Sequence, residues 1–260
     1  MNPLLSCRIK IERAKKHLKD LQGQVELFNL RHPYQSITDD DSEPGIRVQR
    51  LKIIEDISPD LSAYVGDTIH NLRSAMDSLA FVLVSRNGPV SDAVIQETYF
   101  PVHWNQADLT KPESRTSRFF SRVGPEIETL IKGIEPYRGG KGDALFRIDR
   151  LDIIDKHRAI LPVGGALAGI GYIATGQNAP ITGRAFDAPP PFPLKNGDEL
   201  ARTAFFQPEY QANANFIFEV AFNEIEIVQR DPIIPTLYNF IVFVEGTIDI
   251  FARNIFKTSW

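Results

Sequence analysis

With 260 residues, 43% of them hydrophobic and 24% charged, the chain can bury a sizeable core, and a single α+β domain over 1–260 is expected. A net charge of −4 argues against a broad electrostatic footprint for duplex DNA or an acidic membrane, while leaving room for a small basic pocket for a few phosphates. One cysteine excludes an intrachain disulfide, and the longest apolar run, Leu79 to Val84, is too short to span a bilayer.

Charged Arg8, Lys10, Glu12 and Arg13 interrupt any leader-like apolar region, so a cytoplasmic location and no membrane partner are expected. Residues 3–31 open the chain with a seam stepping by 3 and 4: Leu4, Cys7, Ile11, Ala14, Leu18, Leu21, Val25 and Phe28. This is a long helix with one narrow apolar stripe, suited equally to a bundle or to a homodimer through the N-terminal helix. Cys7 lies in the stripe and reads as a small core hydrophobe. TDDDSEP at 38–44 reads as a polar loop, and 46–54 as a strand. Ser58-Pro59-Asp60 has the chemistry of a helix start, and Asn87-Gly88-Pro89 that of a stop, giving a second helix over 58–86.

YFPV at 99–102 reads as a strand entering a turn, and Pro125 to Ile134 as a short amphipathic helix. Gly139-Gly140-Lys141-Gly142 lacks the spacing of a phosphate-cradling loop and reads as a linker. Asp143 can cap a third long helix, 144–160. The pattern then turns to sheet, with candidate strands at 163–175, 199–206 and 215–222 and a stiff Pro-rich loop at 188–193. Pro235 opens a fourth long helix, 236–256, with Leu237, Ile241, Val244, Ile248, Phe251 and Ile255 on one face. The expected architecture is four long helices forming a bundle, with a small antiparallel sheet inserted between the third and fourth.

The second helix carries the most chemistry. On a helical wheel Leu61, Val65, Ile69, Leu72, Met76, Leu79 and Leu83 fill one sector, and Asp67, His70, Arg73, Ser74 and Asp77 the opposite one. Phe81 on that polar face suggests partial cover, and His and Asp are poor helix formers for a plain solvated surface. The third helix is apolar on two arcs, Leu145, Ile148, Leu151 and Ile154 against Phe146, Ile153 and Ile160. Asp152 and Asp155 fall inside the first arc, where carboxylates need partners, with Arg73, His70, Lys156 and Arg158 as candidates. If the two helices pack side by side, a composite site holds His70, Asn71, Arg73, Asp77, Asp155 and His157.

Such a site could bind or cleave a phosphodiester, with Arg neutralising charge and His moving a proton. It could equally hold a divalent metal on Asp67, His70, Asp77 and His157; no other cofactor is implied. G-x-S-x-G, CxxC and HExxH are absent, and the five histidines, His17, His32, His70, His103 and His157, are far apart, so any cluster must be made by the fold.

GDTIHNLRSAMDSLAFVL at 66–83, followed by DKHR at 155–158, resembles a family of uncharacterised bacterial proteins with a GD-x-x-HNLRSALDHL-like helix and a DKHR-like segment. That pattern also resembles the R-x4-H spacing of HEPN-type helical ribonucleases, whose positions here are Arg73 and Ser78. Ser78 cannot transfer the proton a histidine would, so the role falls to His70 or His157. The resemblance implies a HEPN-like helical protein, a ribonuclease or nucleotide-processing enzyme with RNA or a nucleotide as partner. Arg73 would bind phosphate, Asp77 and Asp155 would orient the histidine, and Asn71, Lys156 and Arg158 would line the substrate. Two alternatives stay open: a non-catalytic ligand-binding or interaction protein whose His/Arg/Asp network is structural, with the Phe-rich sheet as the binding surface, and a metal-dependent hydrolase.

Overall fold

The computed structural model describes residues 2–40, 46–160, 162–165, 170–175, 192–204, 211–216, 218–224 and 226–258. In chain order the described elements are α1 (Leu5–Leu30), β1 (Tyr34–Asp40), β2 (Ile46–Ile53), α2 (Leu61–Ser85), α3 (Asp92–Glu97), α4 (Gln106–Leu109), α5 (Arg115–Val123), α6 (Pro125–Ile134) and α7 (Asp143–His157). They continue with β3 (Pro162–Gly165), β4 (Ile170–Thr175), β5 (Glu199–Ala204), β6 (Gln211–Phe216), β7 (Glu219–Phe222) and α8 (Ile233–Asn254). The class is α+β, and every strand ladder is antiparallel. Two compact units share the chain. One comprises Met1–Leu21, Ser62–Ile160 and Ile234–Trp260; the other comprises Gln22–Leu61 and Leu161–Ile233.

The first unit is helical. The eight seam residues from Leu4 to Phe28 are all buried, as are the seven of α2; Val25, Phe28 and Leu61 among them belong to the second unit. Burial pushes the Cys7 thiol up to about 11, which leaves it inert, as a core position implies. Lys15 of α1 reaches Glu245 of α8 at 2.7 Å, and His17 lies 3.7 Å from Asp67 of α2. Among the described residues α8 alone is long and apolar enough to cross a membrane, with a mean hydropathy of 1.4. Its Leu237, Ile241, Val244, Ile248 and Phe251 are buried core residues, and Phe251 meets Phe100 edge-on with ring centroids 6.3 Å apart. Gly124, at φ 88°, ends α5 and starts α6, a left-handed corner where glycine carries no Cβ penalty.

Several boundaries differ from the sequence reading. α2 begins at Leu61 because Ser58 and Pro59 stay outside the helix, with the Ser58 hydroxyl accepting from the Asp60 amide at 3.2 Å. α7 runs Asp143–His157, so Asp143 is its first residue and does not cap it; the carboxylate accepts instead from the Gly139 amide at 2.8 Å and pairs with Arg147 at 2.6 Å. Phe81 is 39% exposed, so it does not cover the polar face of α2, and Ile153 at 38% leaves the second arc of α7 open there. YFPV is no strand, because the Phe100 amide and carbonyl bond side chains of α2 rather than a neighbouring strand.

The second unit holds the strands. β1, β2 and β5 form a sheet in that order, β3 pairs with β7, and β4 pairs with β6. The sheet therefore does not lie wholly between the third and fourth long helices: β1 and β2 come from between α1 and α2. Thr38–Asp40, read as loop, pair with Gln49, Val48 and Arg47, since an edge strand needs no apolar alternation once β2 supplies its hydrogen bonds. The stretch 215–222 splits between two ladders, Phe216 opposite Ile170 and Phe222 opposite Pro162, so its alternating phenylalanines are not one strand. Residues 41–44, 166–169, 188–191, 205–206 and 217, on which parts of the loop and strand readings fall, lie outside the described residues. Leu51, Leu194 and Leu200 form a buried cluster with Tyr34, Ile53 and Phe218 packed on it. Gly164 lies against the Tyr34 ring, where a Cβ would clash with the phenol.

Candidate functional site

Arg73, in the middle of α2, is 9% exposed and spends its guanidinium on three elements. Nε donates to Asp149 of α7 at 2.9 Å, Nη1 to Asp77 one turn along α2 at 2.6 Å, and Nη2 to the Phe100 carbonyl at 3.3 Å. The Phe100 amide in turn donates to Asp77 at 3.0 Å, and Arg150 closes the network on the second oxygen of Asp149. Burial raises the Asp77 carboxyl above the ordinary range; Arg73 and the Phe100 amide oppose that rise, while Asp149 and Asp152 add to it.

One turn earlier on α2, His70 places Nδ1 2.9 Å from Oδ1 of Asp152, a carboxylate only 3% exposed. Lys156 donates to the other oxygen of Asp152 at 2.5 Å. Asp152 thus fixes an imidazole and an ammonium at once, leaving Nε2 of His70 turned to the Ser74 hydroxyl at 3.4 Å, with half of the side chain in solvent. The histidine is oriented but reachable, as proton transfer to a ligand requires.

The other expected residues scatter. Asn71 is buried and donates to the Asp67 carbonyl inside α2 at 2.7 Å, so it faces its own helix. Asp155 lies against the bare backbone of Gly66, where any Cβ would overlap its carboxylate. Its carboxyl is raised first by burial, then by Asp152 and Asp67, with His70 pulling the other way. His157 and Arg158 are exposed at the end of α7. His157 does not join Asp155 for the reason its spacing implies: two residues apart on a helix are nearly opposite.

Beside this network lies a cleft of about 480 Å³. Arg73, Asp77, Asp149, Asp152 and Lys156 form one wall, and Tyr99, His103 and Arg115 stand among the residues of the other. Asp149, Arg150, Tyr99, His103 and Arg115 were not singled out from sequence. Asp149 had a signal: on the wheel it falls between Leu145 and Ile160, in the gap between the two apolar arcs. Tyr99, His103 and Arg115 come from irregular or short elements where periodicity is silent, and Arg150, though on α7, had no apolar arc to single it out. His103 bonds Thr116 at 2.8 Å, and burial holds its imidazole below the usual histidine range. Arg115 is distinctive: its guanidinium stacks over Tyr99 at 5.0 Å, and among the described residues no carboxylate pairs with it. The three carboxylates of the cleft are each matched to a cation, which leaves Arg115 as its uncompensated charge.

Asp67, His70, Asp77 and His157 do not assemble: among the described residues no three His, Cys, Asp or Glu side chains are placed to hold a metal ion. The ligand set expected for a metal-dependent hydrolase is therefore not formed. Comparison of the chain with protein-family models, curated proteins and solved structures finds no match.

Proposed function

We propose that the chain is a HEPN-like helical protein of the cytoplasm that processes RNA or nucleotides at the cleft beside α2 and α7. The observation carrying this reading is Asp152, which lines the cleft together with Lys156 and holds both Lys156 and the half-exposed His70. Phosphate charge falls to Arg115 and Lys156, and His70 moves the proton. Arg73, its donors engaged, acts as a positioning residue for Asp77 and Asp149. The four long helices α1, α2, α7 and α8 are read as one bundle. The contacts of Lys15 with Glu245, His17 with Asp67 and His70 with Asp152 support that, with β3 to β7 following α7. The α1 seam is used inside the monomer, so a homodimer through α1 would rest on exposed Leu5 and Ile9.

Single-stranded RNA and nucleoside phosphates are the substrates to assay. His70→Ala lowers kcat by about 10²-fold or more, the usual worth of a positioned acid–base group, while the melting temperature stays near that of the parent. Unchanged turnover in both His70→Ala and Arg115→Ala, or no cleavage of either substrate by the parent, overturns the reading. A non-catalytic reading is favoured by one observation, the engagement of all three Arg73 nitrogens in a buried brace, and the same assay separates the two.

A further inference from the structure

The cleft has two chemical characters. Asp152–Lys156 and Asp149–Arg150 make one part ionic, whereas Tyr99, Val102, Phe119 and Ile153 make another apolar. Tyr99 is 45% exposed and Ile153 38% exposed, although both sit on a wall whose neighbours Phe100 and Phe119 are buried. A partly exposed tyrosine ring that carries an unpaired guanidinium over one face offers aromatic surface next to a positive charge, the combination that holds an unpaired base and its phosphate. A volume of about 480 Å³ is ample for one nucleotide and too small for a folded duplex.

Resting on the phosphate-processing reading above, we propose that Tyr99 is the base-stacking platform of this cleft, the base taking the ring face opposite Arg115, and that Arg115, which lies over the first face, takes the adjoining phosphate. The ligand is then a nucleotide with its base unpaired, either free or within a single strand. A base inside a duplex keeps both faces covered by its neighbours and cannot reach the ring. The ring supplies shape and polarisability without reading base edges, so all four bases are accepted with modest differences. Phosphate without a base finds Arg115 but gains nothing from Tyr99.

Titration calorimetry with the four nucleoside 5′-monophosphates and with ribose 5-phosphate tests this on the full chain. The parent binds at least one nucleotide about tenfold or more tighter than ribose 5-phosphate. Tyr99→Ala removes that gap while leaving ribose 5-phosphate affinity unchanged, Tyr99→Phe retains it, and Arg115→Ala weakens both ligands. Because Tyr99 and Arg115 are exposed, these variants should keep the parent's melting temperature, and a melt on each verifies it. Equal binding of nucleotide and ribose 5-phosphate by the parent, or a gap that survives Tyr99→Ala, overturns the platform while leaving phosphate binding intact. Failure of every ligand to bind overturns both the platform and the reading on which it rests.

Discussion

At the scale of single residues, Asp155 separates a half-buried carboxylate without a donor from those that are paired. Asp149 and Asp152 each accept from cations, whereas among the described residues no donor reaches Asp155, which lies in the hollow that Gly66 leaves in α2. Its folded-state pKa is raised above 3.8, so the folded protein holds that proton more tightly than the unfolded chain does. Stability from this group is therefore greatest in acid and declines as pH rises from the ordinary aspartate range through the raised value. Asp155→Asn, isosteric and neutral, should raise the melting temperature at pH 7 and change it little at pH 4; equal effects at both would rule out charge as the cause. The wheel placed this carboxylate inside the apolar arc, and the structure leaves it half-buried. The absence of a partner was not legible there, because the wheel shows one helix and the partner belongs to another.

Among elements, the brace from α2 to α7 and to residues 99–101 outranks any helix end. Arg73 contributes one charge and three hydrogen bonds, and its loss strands Asp77 and Asp149 in a poorly hydrated setting. Arg73→Ala should cost about 3–5 kcal/mol in denaturant unfolding, the cost of breaking a buried pair. Arg73→Lys should recover only part of it, since an ammonium cannot reproduce the fork. A loss under about 1 kcal/mol would mean the network is a solvated surface. The polar face of α2 was visible as a pattern, and so was the need of α7 carboxylates for partners. Two of the candidate partners, His70 and Lys156, do take Asp152, whereas Arg73 takes Asp149, a carboxylate the pattern had not singled out. YFPV failed as a strand for a related reason, since its backbone finds acceptors and donors on side chains that no local pattern announces.

For the whole molecule, the helical unit and the strand-bearing unit draw on different cores. In the latter, Leu200 is fully buried with Leu51 and Leu194 in a small cluster, so Leu200→Ala should cost about 2–5 kcal/mol in denaturant unfolding, a loss that a larger core could partly relax away. Little change would show that this cluster does not hold its sheet. By itself the sequence determined the long helices and their buried stripes, because a period of 3.6 is written into neighbouring residues and burial of apolar surface enforces it. It also determined the mixed class and the inert Cys7. Tertiary structure alone decided which strands pair, where YFPV goes and which charges meet. Those choices join residues 76 and 82 positions apart, as in Arg73 with Asp149 and His70 with Asp152, and no local period encodes them. The cleft is of the same kind: its Tyr99, its His103, its α7 carboxylates and its unpaired Arg115 come from segments that become neighbours only on folding.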